Sequence, residues 1–174
     1  MTMDYAQIIE GCRRHDRRAQ KALYDAFAPM AMGVCMRYTQ NRDEAQDLMQ
    51  EGFVRVYEHL WQVRDAEHVG AWVYKVILNE CLKHYRRHER PRFLDDEEID
   101  VVQWPDDPFG TEEVVVALQQ IPPAQRTAFN LMEVEGCSFE EAAEKMKCTE
   151  VNVRSLLSRA KMRLRDILTT NREK

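Results

Sequence analysis

Long apolar runs are missing from this 174-residue chain, and with them the means to span a bilayer. No basic leader followed by an apolar segment opens it, so secretion is not expected. The cysteines Cys12, Cys35, Cys81, Cys137 and Cys148 are odd in number and contain no CxxC pair. Reduced thiols in a cytoplasmic protein are the expectation, not a disulfide framework. Glycine is scarce, and no glycine-rich loop that could cradle phosphate is present. Neither G-x-S-x-G nor H-E-x-x-H occurs, and there is no internal repeat. The sequence thus shows no carrier of enzyme chemistry and no cofactor motif. Cys81, His84 and His88 would share one helical face, but no matching Cys/His pair supplies the remaining zinc ligands, so no metal is expected.

Net charge is −5, an unpromising balance for a nucleic-acid partner until its distribution is read. Residues 89–116 hold ten acids against two bases, whereas residues 145–174 hold nine bases against three acids. The acidity is confined to one proline-containing segment, and the C-terminal stretch is basic. The segment, with Asp95, Asp96, Glu97, Glu98, Asp100, Asp106 and Asp107 among Pro91, Pro105 and Pro108, reads as an unstructured acidic linker. Everything else carries helical periodicity. The fold expected is all-α: two small helical domains, 1–90 and 112–174, joined by a linker over 91–111, with a helix-turn-helix in the C-terminal domain.

The helix-turn-helix lies at 138–168. Ser138 with Glu141 forms an S-x-x-E capping box, and Ala142, Ala143 and Met146 give the helix an apolar side. Lys147 and Cys148 make the break, and Thr149 is placed as the next N-cap. Val153, Leu156, Leu157, Ala160, Leu164, Ile167 and Leu168 then recur at helical spacing as a core stripe. Val151, Ser155, Ser158 and Arg159 lie on the other side, flanked by Arg154 and Lys161. Small hydroxyls between long cations suit close approach to a major groove, although a solvated basic face would look the same.

In the N-terminal half, 4–38 reads as helical, with Pro29 marking a bend or a helix start. Arg13, Arg14, Arg17, Arg18 and Lys21 read as a solvated basic face. Asp43 with Gln46 resembles a capping box opening a helix over 44–62, which buries Ala45, Met49, Phe53, Val56 and Leu60. Asp47, Glu51 and Glu58 point the other way. Acids at i and i+4 repel, which suits a basic partner surface or simple solvation equally well. A polar connection, 63–70, leads to a helix over 71–90 that turns Val69, Val73, Val76 and Ile77 to the core. One line of that helix carries Trp72, Lys75, Asn79, Lys83 and Arg86. Such a stripe fits unpaired bases stacking on a ring with cations along the backbone, or else a buried tryptophan beside solvated charges.

Three stretches in this order resemble the sigma-70-type factors of bacterial RNA polymerase, and the two-domain form resembles their extracytoplasmic-function (ECF) subfamily. DEAQDLMQEGFVRVYEHL (43–60) is similar to their polymerase-binding segment, AWVYKVILNECLKHYRRH (71–88) to their promoter-melting segment, and 118–168 to their C-terminal DNA-binding domain. The resemblance implies a specificity subunit that directs core RNA polymerase to promoters. It implies core contacts at Asp47, Gln50 and Glu51. Contacts to the opened −10 strand are implied at Trp72, Tyr74 and Asn79, with a flipped base taken by 63–70, and the stripe adds Lys75, Lys83 and Arg86. Readers of the −35 duplex are implied at Arg154, Ser155, Ser158 and Arg159, and the basic face of the helix adds Lys161. Core polymerase, promoter DNA and an anti-sigma factor are the implied partners, without membrane insertion. Three departures stand out: the common Gly-Thr early in the recognition helix is Val151-Asn152, the frequent Arg after the Ser is Leu156, and Gly52 occupies a position that is usually apolar, at a helix cost of about 1 kcal/mol. The alternatives are a stand-alone helix-turn-helix regulator and a polymerase-binding adaptor that does not recognise promoters.

Overall fold

The structure is a computed structural model and describes residues 4–88 and 111–172. The acidic run 95–107 and the bases Arg90 and Arg92 lie outside the described residues. Every described element is helical: α1 (Tyr5–Arg13), α2 (Arg17–Tyr38), α3 (Arg42–His59), α4 (Val69–His88), α5 (Thr111–Gln119), α6 (Pro123–Phe129), α7 (Phe139–Met146) and α8 (Glu150–Arg172). Short 3₁₀ turns at Leu60–Gln62 and Ala66–His68 lead from α3 into α4, and a π-type turn at Asn130–Val134 extends α6. The described residues divide into two compact units. One combines 4–35 with 42–81; the other combines 36–41, 82–88 and 111–172.

In the first unit the chain breaks at His15, not at Pro29 as the sequence led us to expect. Asp4 caps α1, its carboxylate accepting from the N–H groups of Ala6 and Gln7 at 3.0 and 3.3 Å. His15 takes the left-handed conformation (φ 59°), an unfavourable one for a residue with a Cβ. Asp16 then accepts from Arg18 N at 2.8 Å and starts α2. Pro29 sits inside α2. The ring removes one helical hydrogen bond there, and the 22-residue helix continues through it. Arg13 is not simply solvated, because its guanidinium donates to the Val63 carbonyl at 2.7 Å and ties α1 to the turn after α3.

The start of α3 also differs. Arg42 is its first residue and Asp43 and Glu44 lie in its first turn, so Asp43 favours the helix dipole instead of capping it. The periodicity expectation holds: Ala45, Met49, Phe53, Val56 and Leu60 are buried, as are Val69, Val73 and Ile77 of α4, while Val76 is half-buried. Gly52 has a packing role. A Cβ there would lie 2.5 Å from Ile77 Cδ1, so the missing side chain is what lets α3 approach α4. Tyr24, Phe53 and Tyr57 form a tilted aromatic row with centroids 4.6 and 6.3 Å apart. Tyr57 donates to the Gln20 carbonyl at 2.8 Å, and burial pushes its phenol up to about 12. Cys12, Cys35 and Cys81 are all buried in this unit, and the last two bring their sulfurs to 3.9 Å.

The second unit is organised on Arg126, a fully buried cation. Its Nε donates to Leu118 O at 2.8 Å, and its other nitrogens reach Tyr38 O, Gln119 O and Ile121 O at 3.2, 3.4 and 3.0 Å. These are the end of α5, the turn behind it and the end of α2. Carbonyls left unpaired where a helix stops carry partial negative charge and suit a guanidinium. Two more side chains serve the end of α2: Asn130 Nδ2 donates to Arg37 O at 2.7 Å and Gln119 Nε2 to Met36 O at 3.2 Å. Around this polar centre Leu118, Ile121, Phe129, Leu157, Ala160 and Leu164 pack with Ala117 and Leu168.

The helix-turn-helix forms as its residues dictate. Gly136 turns the chain at φ 67°, open to glycine without strain. Ser138 and Glu141 complete both halves of the capping box, at 3.1 and 2.8 Å. Lys147 adopts the left-handed cap (φ 57°) after α7, and Thr149 Oγ1 accepts from Asn152 N at 3.2 Å to open α8.

Candidate nucleic-acid and partner interfaces

The exposed face of α3 carries Asp47, Gln50 and Glu51 side by side. The same face continues through Val54, 55% exposed, and Glu58, and the 3₁₀ turn that follows α3 exposes Trp61 at 69%. Sequence reading stopped at the acids and missed Val54 and Trp61. For Val54 the signal was available, since 47, 51, 54 and 58 form one helical line. An acidic stripe ending in an exposed aromatic ring has the composition of a binding surface: charges set the sign of the partner, and the ring supplies area. On the neighbouring flank Arg55 donates to Glu58 at 2.7 Å and lies 3.8 Å from Glu80.

On α4, Lys75 and Asn79 are exposed, and Trp72, Tyr74 and Lys83 are half-buried. Half-burial of Trp72 is compatible with both readings of it. Arg86 is exposed but donates to the Lys145 carbonyl at 3.1 Å. Asp65 caps the turn before α4, accepting from Glu67 N at 2.9 Å and from the His68 ring at 2.8 Å. The Glu67 backbone N–H, followed by the His68 bond, holds the Asp65 carboxyl below its usual range. Cys81 lies in the core, and the His84 and His88 rings tilt against each other with centroids 4.4 Å apart.

The five candidate readers on α8 stand in very different situations. Arg154 is exposed, with its guanidinium carbon 3.9 Å from the centroid of the Phe139 ring. That cation–π contact orients the fork without consuming its donors. Ser155 has its hydroxyl buried, without a hydrogen-bond partner among the described residues. Ser158 and Arg159 are half-buried. Lys161 is 12% exposed and pairs with Glu133 at 2.6 Å. Near the start of the helix, Glu150, Val151 and Arg154 are the exposed residues. Phe139 and Glu133 lie outside the basic helix, which is why a pattern read along that helix did not find them.

Comparison with known proteins identifies the family. Residues 23–91 match the model of sigma-70 region 2, and residues 111–164 match that of sigma-70 region 4. The chain is 29% identical to the RNA polymerase sigma-H factor of Pseudomonas aeruginosa, with 89% of each chain covered. It is also 29% identical to the ECF RNA polymerase sigma factor SigM of Bacillus subtilis, over 82% of this chain and 91% of that one. A solved structure, the sigma factor RpoE in complex with the anti-sigma factor NepR from Bartonella quintana, is 21% identical, covers 87% of this chain and 97% of its own, and gives a TM-score of 0.51. That likeness concerns the fold. The chain belongs to the sigma-70 family of transcription initiation factors. Within it, the chain is an ECF sigma factor. It therefore directs RNA polymerase to promoters and is not an enzyme, and the region 2 match removes the stand-alone regulator from consideration. Among the described residues no helix is long and apolar enough to cross a membrane.

Proposed function

We propose that the work of a sigma factor is divided over three faces of this chain. Asp47, Gln50 and Glu51 dock on a basic surface of core RNA polymerase, with Val54 and Trp61 extending the contact. Trp72, Tyr74, Lys75 and Asn79 hold the opened −10 strand, joined by Lys83 and Arg86. Arg154, Ser158 and Arg159 meet the −35 duplex, while Ser155 and Lys161 shape the helix that presents them. On this reading 1–90 binds polymerase and melts DNA, 112–174 binds duplex, and 91–111 is the linker. The place of work is the cytoplasm. An anti-sigma factor is a further partner in this reading, by analogy with the RpoE and NepR pair.

The carrying observation is the shared exposure of Asp47, Gln50 and Glu51 on α3. Three polar groups held on one face of a packed helix need no rearrangement to meet a partner. The test is affinity capture of core polymerase by Asp47→Lys/Glu51→Lys, checked for folding by circular dichroism. The folded double variant should capture no core; capture at wild-type level removes the assignment. Run-off transcription over a promoter library separates a sigma factor from an adaptor, which would bind core yet start no transcript.

A further inference from the structure

We propose that Val151 is a base-reading residue, and that its target is the 5-methyl group of a thymine in the duplex that α8 meets. The proposal rests on the assignment of α8 to the −35 duplex.

Thr149 fixes the beginning of α8 through Asn152 N, so the position of the first turn is set by its own cap. In a helix-turn-helix the N-terminal residues of the second helix are the ones that reach base edges. Here Asn152 and Val153 are buried, and the Ser155 hydroxyl is buried. Three side chains remain exposed: Glu150, Val151 and Arg154. A carboxylate repels phosphate, and a valine offers phosphate nothing. The exposed side chains Glu150 and Val151 of the first turn are thus poorly made for phosphate and suited to the groove floor.

On that floor the chemistry narrows. Donors and acceptors on base edges suit Arg154 and Glu150. The apolar feature of the major groove is the thymine methyl. Val151 is 54% exposed, and its branched Cβ holds a single favoured rotamer in a helix, so its methyl groups form a fixed knob. Arg154, one turn along the same side, is steadied on the Phe139 ring at 3.9 Å. A rigid apolar group beside an oriented guanidinium can read two neighbouring base positions. A solitary exposed valine needs no explanation by itself. The explanation is called for by its place, in the turn that enters the groove, with the nearby hydroxyl withdrawn.

The test uses the full chain assembled with core RNA polymerase. Duplexes with a randomised −35 region are selected by the holoenzyme. In the selected duplex each thymine is then replaced, one at a time, by deoxyuridine, which removes the methyl group and no hydrogen-bonding group. One replacement should weaken binding by about fourfold, the equivalent of burying one methyl group. Val151→Ala should bind thymine and deoxyuridine duplexes equally at that position, and Val151→Thr, which keeps a methyl, should retain part of the discrimination. Met162→Ala removes another exposed apolar side chain of α8, 11 residues further along, and should leave the discrimination intact. If no thymine is sensitive in the wild type, or if Val151→Ala discriminates as strongly as the wild type, the proposal fails. If the holoenzyme selects no −35 sequence at all, the assignment of α8 fails first.

Discussion

Helices α3 and α8 carry candidate contacts of opposite sign, and they treat them in opposite ways. On α3, Asp47, Gln50 and Glu51 are all exposed, as a reading of that helix alone anticipates. On α8, Lys161 is drawn into a pair with Glu133, Arg154 lies on Phe139, and the Ser155 hydroxyl is buried. The difference lies in the neighbours. Glu133 comes from the turn after α6 and Phe139 from the start of α7, so α8 meets groups that complement a cation. A charge pattern along one helix therefore states what could be presented, and the packing of other helices decides what is.

The largest effect tests whether buried cations organise the second unit while the first relies on apolar packing. Arg126→Met removes the guanidinium from three buried carbonyls and one part-buried carbonyl, of which Leu118 O keeps only a long bond from Ile121 N at 3.4 Å. Urea unfolding should show a loss of at least about 3 kcal/mol, since each orphaned group costs about 1–3 kcal/mol. Arg126→Lys should not restore it, because a compact ammonium cannot span the fork geometry. A loss below about 1 kcal/mol would break the claim.

The next sharpens the α3 side. Trp61→Ala should weaken core-polymerase binding by about 2 kcal/mol, the scale of an aromatic hot spot, with thermal stability unchanged because the ring is 69% exposed. Unchanged binding, measured by fluorescence titration, would end the docking face at Glu58.

Smaller still is Gly52→Ala. The new methyl meets Ile77 Cδ1, an overpacking cost of about 1–3 kcal/mol, set against about 1 kcal/mol of regained helix propensity. Thermal unfolding should show a net loss of about 1 kcal/mol that Ile77→Val relieves. A stabilised Gly52→Ala protein would contradict the close approach.

The smallest effect is at Glu141, whose carboxyl is held below its usual range by the Ser138 backbone N–H first and the Ser138 side chain second. A lowered folded-state pKa means that the contribution is complete above the ordinary glutamate range and is lost as pH falls through the lowered value. The difference in unfolding midpoint between wild type and Glu141→Ala should be constant near neutrality and close in acid. A difference that persists in strong acid would deny the carboxylate its role as a cap.

Local signals carried much of this fold. The Ser138–Glu141 box, the Lys147 break and the Thr149 cap each depend on residues within a few positions of one another, and each forms as read. The α3 core stripe does too. What escaped reading depends on distant partners. Asp16 as a start signal was overshadowed by Pro29, because proline is the stronger local breaker and a long helix can lose one hydrogen bond. Gly52 looked like a weak point of α3 until Ile77 was seen against it. Arg126 gave no sign at all: a lone arginine after two prolines looks solvated, and its acceptors are main-chain carbonyls, which every sequence has.

The distribution of thiols turns the two units into separate clocks. Cys12, Cys35 and Cys81 are buried in the first unit, and Cys137 and Cys148, in the second, are only half-buried. Burial raises the Cys12, Cys137 and Cys148 thiols above their ordinary range, so all three react slowly even where a reagent reaches them. An alkylating reagent added to the native protein meets Cys137 and Cys148 directly, whereas Cys12, Cys35 and Cys81 wait for the first unit to open. Masses recorded against time then report the breathing of one half of the molecule separately from the other, with no cysteine introduced by mutation.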